Sequence, residues 1–138
     1  MPTDTAPDVR IPRPALVGFT CGVVVSLAIT LLDILPDSQG HAMLVAAIAT
    51  PYLVFALIDG STRSLVIEIA VMVVFVTTAF LVFDSPAWIV AIVLASHGLW
   101  DLAHMRSHMT KHVGDYPIWC ATLDISAATM LFVASYVL

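Results

Sequence analysis

Apolar and polar residues follow one another along this chain in long blocks, without the short alternation of an amphipathic strand or helix. Five blocks are almost wholly apolar, at about residues 15–35, 41–58, 64–83, 87–106 and 118–138. Each approaches the roughly 20 residues that a helix needs to cross the hydrocarbon core of a bilayer. Short polar segments separate them: Pro36-Asp37-Ser38-Gln39-Gly40, Asp59-Gly60-Ser61-Thr62-Arg63, Asp84-Ser85-Pro86 and the stretch through Gly114 and Pro117. A run such as Val71-Met72-Val73-Val74-Phe75-Val76 has strand-forming composition in water. In lipid an open strand edge leaves peptide groups without partners, so the blocks are read as helices. Pro51, inside the second block, predicts a kink. The predicted fold is all-α: an integral membrane bundle of five transmembrane helices over residues 15–138. Residues 1–14, with four prolines, Asp4 and Asp8, read as a flexible tail. The first block is long for a signal peptide, and no small-residue cleavage site follows it before Pro36.

Composition strengthens this reading. Of 138 residues, 60% are hydrophobic and 11% charged, whereas a soluble domain is about 25% charged. Mean hydropathy is +1.00. The length allows one domain, Cys21 and Cys120 make no disulfide framework, and no basic, aromatic-interleaved segment points to nucleic acid. The net charge of −5 says less than its placement. With five spans, Arg10, Arg13, Arg63, Arg106 and Lys111 all fall on one side of the membrane, while the other carries Asp37 and Asp84 and no Lys or Arg. Basic connections stay in the cytoplasm, which predicts a cytoplasmic N-terminus and an external C-terminus. Trp88, Tyr116 and Trp119 suit the interfacial belts.

The candidate chemistry lies in ionisable residues within the apolar blocks. Glu68 is in span three, His97, Asp101 and His104 are in the last part of span four, and Cys120 and Asp124 open span five. A charge at mid-bilayer costs roughly 2.5–3.5 kcal/mol on insertion scales, so such groups persist where they face protein, pair or bind something. The alternating topology puts Glu68 about 6 Å and Asp124 about 9 Å inside the cytoplasmic boundary, at 1.5 Å per residue. The polar groups of three helices therefore share one depth. His97, Asp101, His104 and His108 step by four, three and four, within about 60° of arc on a helix. Cys120 and Asp124 are likewise four apart. Imidazole and carboxylate are ligands for Zn²⁺, Fe or Mn, and a site with three protein ligands and a water has an open catalytic position.

Plainer readings stand beside this one. A histidine on a helix is often a structural hydrogen-bonder, and His108 and His112 reach the aqueous boundary. Glu68 can pair with a basic or imidazole group across helices. Cys120 and Cys21 read as small packing residues, Trp100 as packing, and Asp59 with Arg63 as a loop ion pair. Asp33 and Asp84 fall at solvated ends.

The run His97-Gly98-Leu99-Trp100-Asp101-Leu102-Ala103-His104 and the run Tyr116 to Asp124, with Cys120 four residues before Asp124, resemble an uncharacterised family of small bacterial multi-pass membrane proteins. That family, a domain of unknown function, has a His-x-x-Trp-Asp-x-x-His segment and then a Cys-x-x-x-Asp segment that opens the last span. The segment from His41 to Ala47 and Glu68 also look similar, so the likeness covers most of residues 41–131. Members often carry a second histidine directly after the position of His104; here it is Met105. The resemblance implies a bacterial inner-membrane location and supplies no activity. In chemistry alone, the set is similar to membrane hydrolases of the alkaline ceramidase type, which use intramembrane His and Asp around zinc.

Three functions fit the sequence. The first is a metal-dependent, membrane-embedded enzyme acting on a lipid-like or isoprenoid-like substrate in the cytoplasmic half of the bilayer. In it His97, Asp101, His104 and Asp124 hold a divalent metal, zinc or iron, Asp124 also takes part in catalysis, and Glu68 is the general base or orients a ligand. The second is a proton or metal-ion translocator built on the same groups. The third is a non-catalytic subunit whose polar residues hold helices together. Expected partners are membrane lipid, a lipid-like small molecule, and a second copy or another membrane subunit, because five short helices bury little internal surface.

Overall fold

The computed structural model describes residues 11–107 and 113–137. Six helices form, with no strand among the described residues: α1 (Arg13–Leu32), α2 (Asp37–Ile48), α3 (Pro51–Asp59), α4 (Thr62–Leu81), α5 (Ala87–Ser107) and α6 (Tyr116–Val137). Taken together, α2 and α3 make one apolar span, so five spans are long and apolar enough to cross a membrane. The all-α five-span bundle expected from the blocks is the fold observed.

Proline and turn residues set the boundaries. Pro51 stands at the start of α3, and the chain between Ile48 and Pro51 breaks the second span in two. Proline carries no N–H, so it interrupts the ladder of the preceding turn and is tolerated at the next helix start. Gly60 closes α3 with φ of 66°, and Ser61 then caps α4, its hydroxyl accepting from the Ser64 N–H at 3.4 Å. α1 ends at Leu32, three residues before the expected end of that span, and Asp33 follows it in the left-handed region. The polar segment after Pro36, read as a break, is instead the first turn of α2. Asp37 there faces the partial positive charge of a helix start. The expected tail and the basic residue Arg10 fall on positions outside the described residues, although Arg13 and Pro14 already belong to α1. His108, Lys111 and His112 also lie outside them.

α6 is the centre of the bundle and packs most extensively on α5 and α1. Its buried residues include Cys120, Ala121, Leu123, Asp124, Ala127 and Leu131. Small residues permit the approach. A Cβ on Gly18 would run into the Trp119 carbonyl oxygen and one on Gly22 into Ser126 Oγ. Ser126 also donates to the Phe19 carbonyl, at 3.2 Å. Helices in lipid associate through such close backbone packing, since burial of apolar surface gains nothing there. Gly98 does the same between α5 and α6: a Cβ there would stand 3.1 Å from Asp124 Cβ and 3.2 Å from the Ala121 oxygen.

The outside of the bundle is apolar. Leu16, Val24, Val66, Val73, Phe80, Ile92 and Phe132 are exposed, a surface suited to hydrocarbon and not to water. α4 is the most peripheral span, and its buried residues are Ser64, Glu68 and Ala79. A helix with so little inward surface turns its one carboxylate inward. At the end of the bundle away from Arg13 and Arg63, Gln39 Nε2 donates to Asp84 Oδ1 at 2.8 Å. Also in that half, His41 Nδ1–H donates to the Asp37 carbonyl at 2.7 Å and Nε2 lies 3.0 Å from Ser26 Oγ. A carbonyl can only accept, so the proton sits on Nδ1 and Nε2 accepts from the serine. His41 is a satisfied clamp between α1 and α2.

Candidate metal centre

Two helices each contribute one pair of residues four apart. α5 supplies His97 and Asp101, and α6 supplies Cys120 and Asp124. At that spacing both members of a pair share a face, and Gly98 lets the faces meet. His97 Nδ1–H donates to Asp124 Oδ2 at 2.6 Å, and the same nitrogen is 3.5 Å from Asp101 Oδ2. One ligand-type atom from each of the four residues lies within 4.8 Å of the others, and all four side chains are buried, at no more than 1% exposure.

The donor set is short of protons and of positive charge. Asp101 Oδ1, Asp101 Oδ2 and Asp124 Oδ1 are buried and accept no hydrogen bond among the described residues. Two carboxylates face one imidazole. Burying charge without a partner is costly, so the excess must be met by a proton or a cation. Two ligands of one zinc ion lie at most about 4.6 Å apart, given bonds of about 2.0–2.3 Å. The observed spread, up to 4.8 Å, is wider than that limit, so an ion would have to draw the side chains inward. The group can hold a metal ion, which would displace the proton shared by His97 and Asp124.

His104 and Glu68, expected as a ligand and as a base or ligand-orienting residue, form a second buried pair. His104 Nδ1 is 3.3 Å from Glu68 Oε1, and both are at most 1% exposed. Aromatic rings enclose this pair. Tyr52 stacks on His104 with ring centroids 4.5 Å apart, and Trp100 lies edge-on at 6.1 Å. Tyr52 is the second residue of α3, so the Pro51 break determines where its ring falls. Tyr116 packs on Tyr52, Phe55 and Trp119, and its hydroxyl is 3.9 Å from Cys120 Sγ. Phe75 of α4 sets its ring edge against His97 at 4.7 Å.

Of the residues expected from the sequence, the structure brings His97, Asp101 and Asp124 to one point and leads His104 to Glu68. Cys120, read as packing, is the fourth ligand-type residue of the group. Its spacing from Asp124 repeats that of His97 and Asp101, which is the signal that could have singled it out. Tyr116, read as a belt residue, stands four residues before Cys120 and shares that spacing, whereas Tyr52 carried no such signal.

Comparison with known proteins finds no matching family model, no similar curated protein and no similar solved structure.

Proposed function

We propose that this chain is a membrane-embedded metalloprotein in which His97, Asp101, Cys120 and Asp124 hold a divalent transition ion, zinc or iron, for chemistry on a lipid-like or isoprenoid-like molecule. One observation carries the reading: four buried ligand-type atoms lie within 4.8 Å of one another while three of their carboxylate oxygens accept no hydrogen bond. A purely structural cluster would spend those oxygens on interhelical hydrogen bonds. Imidazole, thiolate and carboxylate together suit zinc and iron better than magnesium or calcium. A bound ion polarises an oxygen of a substrate or activates a water. Glu68 of α4 and His104, which lies about one helical turn along α5 from Asp101, would move the proton that such chemistry releases. Asp124 would act both as ligand and, through its second oxygen, on the reacting group. The placement of Arg13, Arg63 and Arg106 supports a site in the cytoplasmic half of a bacterial inner membrane.

Translocation is the second reading. The His41 and Ser26 pair in the opposite half favours it. Against it, Val45, Val90, Leu94 and Leu131 are buried to within 2% and place apolar side chains in the core of the bundle, with no chain of polar groups through them among the described residues.

Metal analysis of the full chain, purified in detergent without chelator, tests the proposal. One zinc or iron per chain is expected, lost in His97→Ala and Cys120→Ser variants that remain folded. A metal content near zero that reconstitution does not raise, or an equal content in the variants, overturns it.

A further inference from the structure

We infer that the centre is reached from the lipid, through an apolar groove between α4 and α5 that takes the hydrocarbon chain of a membrane amphiphile and lets its polar group turn inward past Phe75. The inference rests on the metal centre proposed above and adds the substrate's shape and route.

The groove encloses about 470 Å³ and is lined by Ala70, Val74 and Phe75 of α4 and by Ser96, Leu99 and Trp100 of α5. α4 and α5 pack against each other less extensively than α5 and α6 do, and the small side chains of Ala70 and Ser96 leave the gap. Ala70 to Phe75 lie roughly 12–20 Å along α4 from its start, at 1.5 Å per residue. That is the middle of a hydrocarbon core about 30 Å thick. At this depth the groove faces neither water nor headgroups, so a hydrocarbon chain is the occupant the surroundings supply.

Two of its lining residues touch the polar interior. Phe75 stands edge-on to His97, and Trp100 reaches His104. The Trp100 Nε1–H is buried and has no hydrogen-bond partner among the described residues, which leaves a donor for an oxygen of the incoming polar group. On His104, Tyr52 continues into a cluster of rings with Phe55, Tyr116 and Trp119. None of the four ligand-type residues lines the groove itself, but Phe75 and Trp100 join it to His97 and His104, whereas a second apolar cavity, between α2 and α4 and lined by Ala42, Ala46, Ala79 and Phe80, includes neither ring.

The test uses the full chain in lipid nanodiscs, loaded with Co²⁺ as a spectroscopic stand-in, and two hydroxamate probes that ligate metal. One carries a dodecyl chain and the other is acetohydroxamate. Binding is read as a shift of the visible Co²⁺ bands. Ala70→Phe and Leu99→Trp place rings in the groove from lipid-exposed positions, which spares the core. Each is expected to raise the half-saturating mole fraction of the dodecyl probe by about tenfold, through lost chain contacts, and to leave acetohydroxamate unchanged. Normal Co²⁺ bands with both probes indifferent to the two substitutions would overturn the lipid route and leave the metal centre standing. Absence of Co²⁺ bands in the wild-type protein would remove the centre and the route with it.

Discussion

Nδ1 of His97 lies 2.6 Å from Oδ2 of Asp124, across the α5–α6 interface and at no more than 1% exposure. One proton holds this contact. The neighbouring Asp101 carboxylate, 3.5 Å from the same nitrogen, receives no hydrogen bond. The bundle thus gives Asp124 a hydrogen bond at one oxygen and Asp101 none, with one imidazole between the two carboxylates.

That imbalance predicts opposite effects of Asp101→Asn with and without metal. In the metal-free protein the substitution removes a buried, uncompensated carboxylate, so unfolding should occur at the same temperature as wild type or higher. With zinc present the order should reverse. A ligand at a hundred times its Kd stabilises the folded state by about 2.7 kcal/mol, and the variant loses most of that gain. Melting in chelator and in excess zinc gives both comparisons. A variant less stable than wild type in chelator and equally raised by zinc would contradict the argument.

Metal affinity should fall as pH is lowered. A metal at this centre needs His97 unprotonated at its ligating nitrogen, Cys120 as thiolate and both carboxylates ionised, so the metal-bound form holds fewer protons than the free form. Added protons favour the form that binds them. Zinc titrations from mildly alkaline to mildly acidic pH should show a rising Kd, with protons released on binding in unbuffered solution. A pH-independent Kd would exclude Cys120 and the His97–Asp124 pair as ligands.

Much of this was legible in the sequence, for a reason particular to membranes. Lipid tolerates a backbone only if all its polar groups are paired internally, so five apolar blocks could be little else than five helices. The site was legible because ionisable residues are expensive there: Glu68, His97, Asp101 and Asp124 stood out against their surroundings, and all four are buried. What stayed hidden depends on which neighbour a side chain meets. A cysteine in an apolar helix looks the same as packing or as ligand, and only the register of α5 against α6 brings Cys120 to the donors. His104 lies on the stripe of His97 and Asp101, yet the rotation of α4 gives it Glu68. The first turn of α2 looked like a loop because Asp37, Ser38 and Gln39 are polar, a composition that a helix end near the membrane surface accommodates.

Cys120 and His104 can be separated spectroscopically. If Cys120 ligates, the Co²⁺ protein should show a near-ultraviolet thiolate-to-metal charge-transfer band. Cys120→Ser should abolish it and weaken binding by about 10–100-fold or more, the loss seen when even an outer partner of a ligand is removed. His104→Gln and Glu68→Gln should keep the band and the metal content, because that pair lies beside the four-donor group and not within it. Loss of metal in His104→Gln with the band intact in Cys120→Ser would exchange the two roles.

Gly98 sets the separation of the two donor-bearing helices, and this predicts a substitution that harms the centre without touching a ligand. In Gly98→Val, the new Cβ meets Asp124 Cβ and the Ala121 oxygen at 3.1–3.2 Å, and its methyl groups come closer still. Relief requires α5 and α6 to move apart, and overpacking of this kind costs about 1–3 kcal/mol. The movement acts directly on the distance between His97 and Asp124, so metal affinity should fall together with stability. Gly22→Ala is the control. Its Cβ would strike Ser126 Oγ and the Leu123 oxygen in the α1–α6 contact, where no donor stands on α1. It should lower the melting temperature at least as much while the folded protein binds metal with wild-type affinity. Equal loss of affinity in the two variants would mean that global stability, and not the α5–α6 spacing, governs the site.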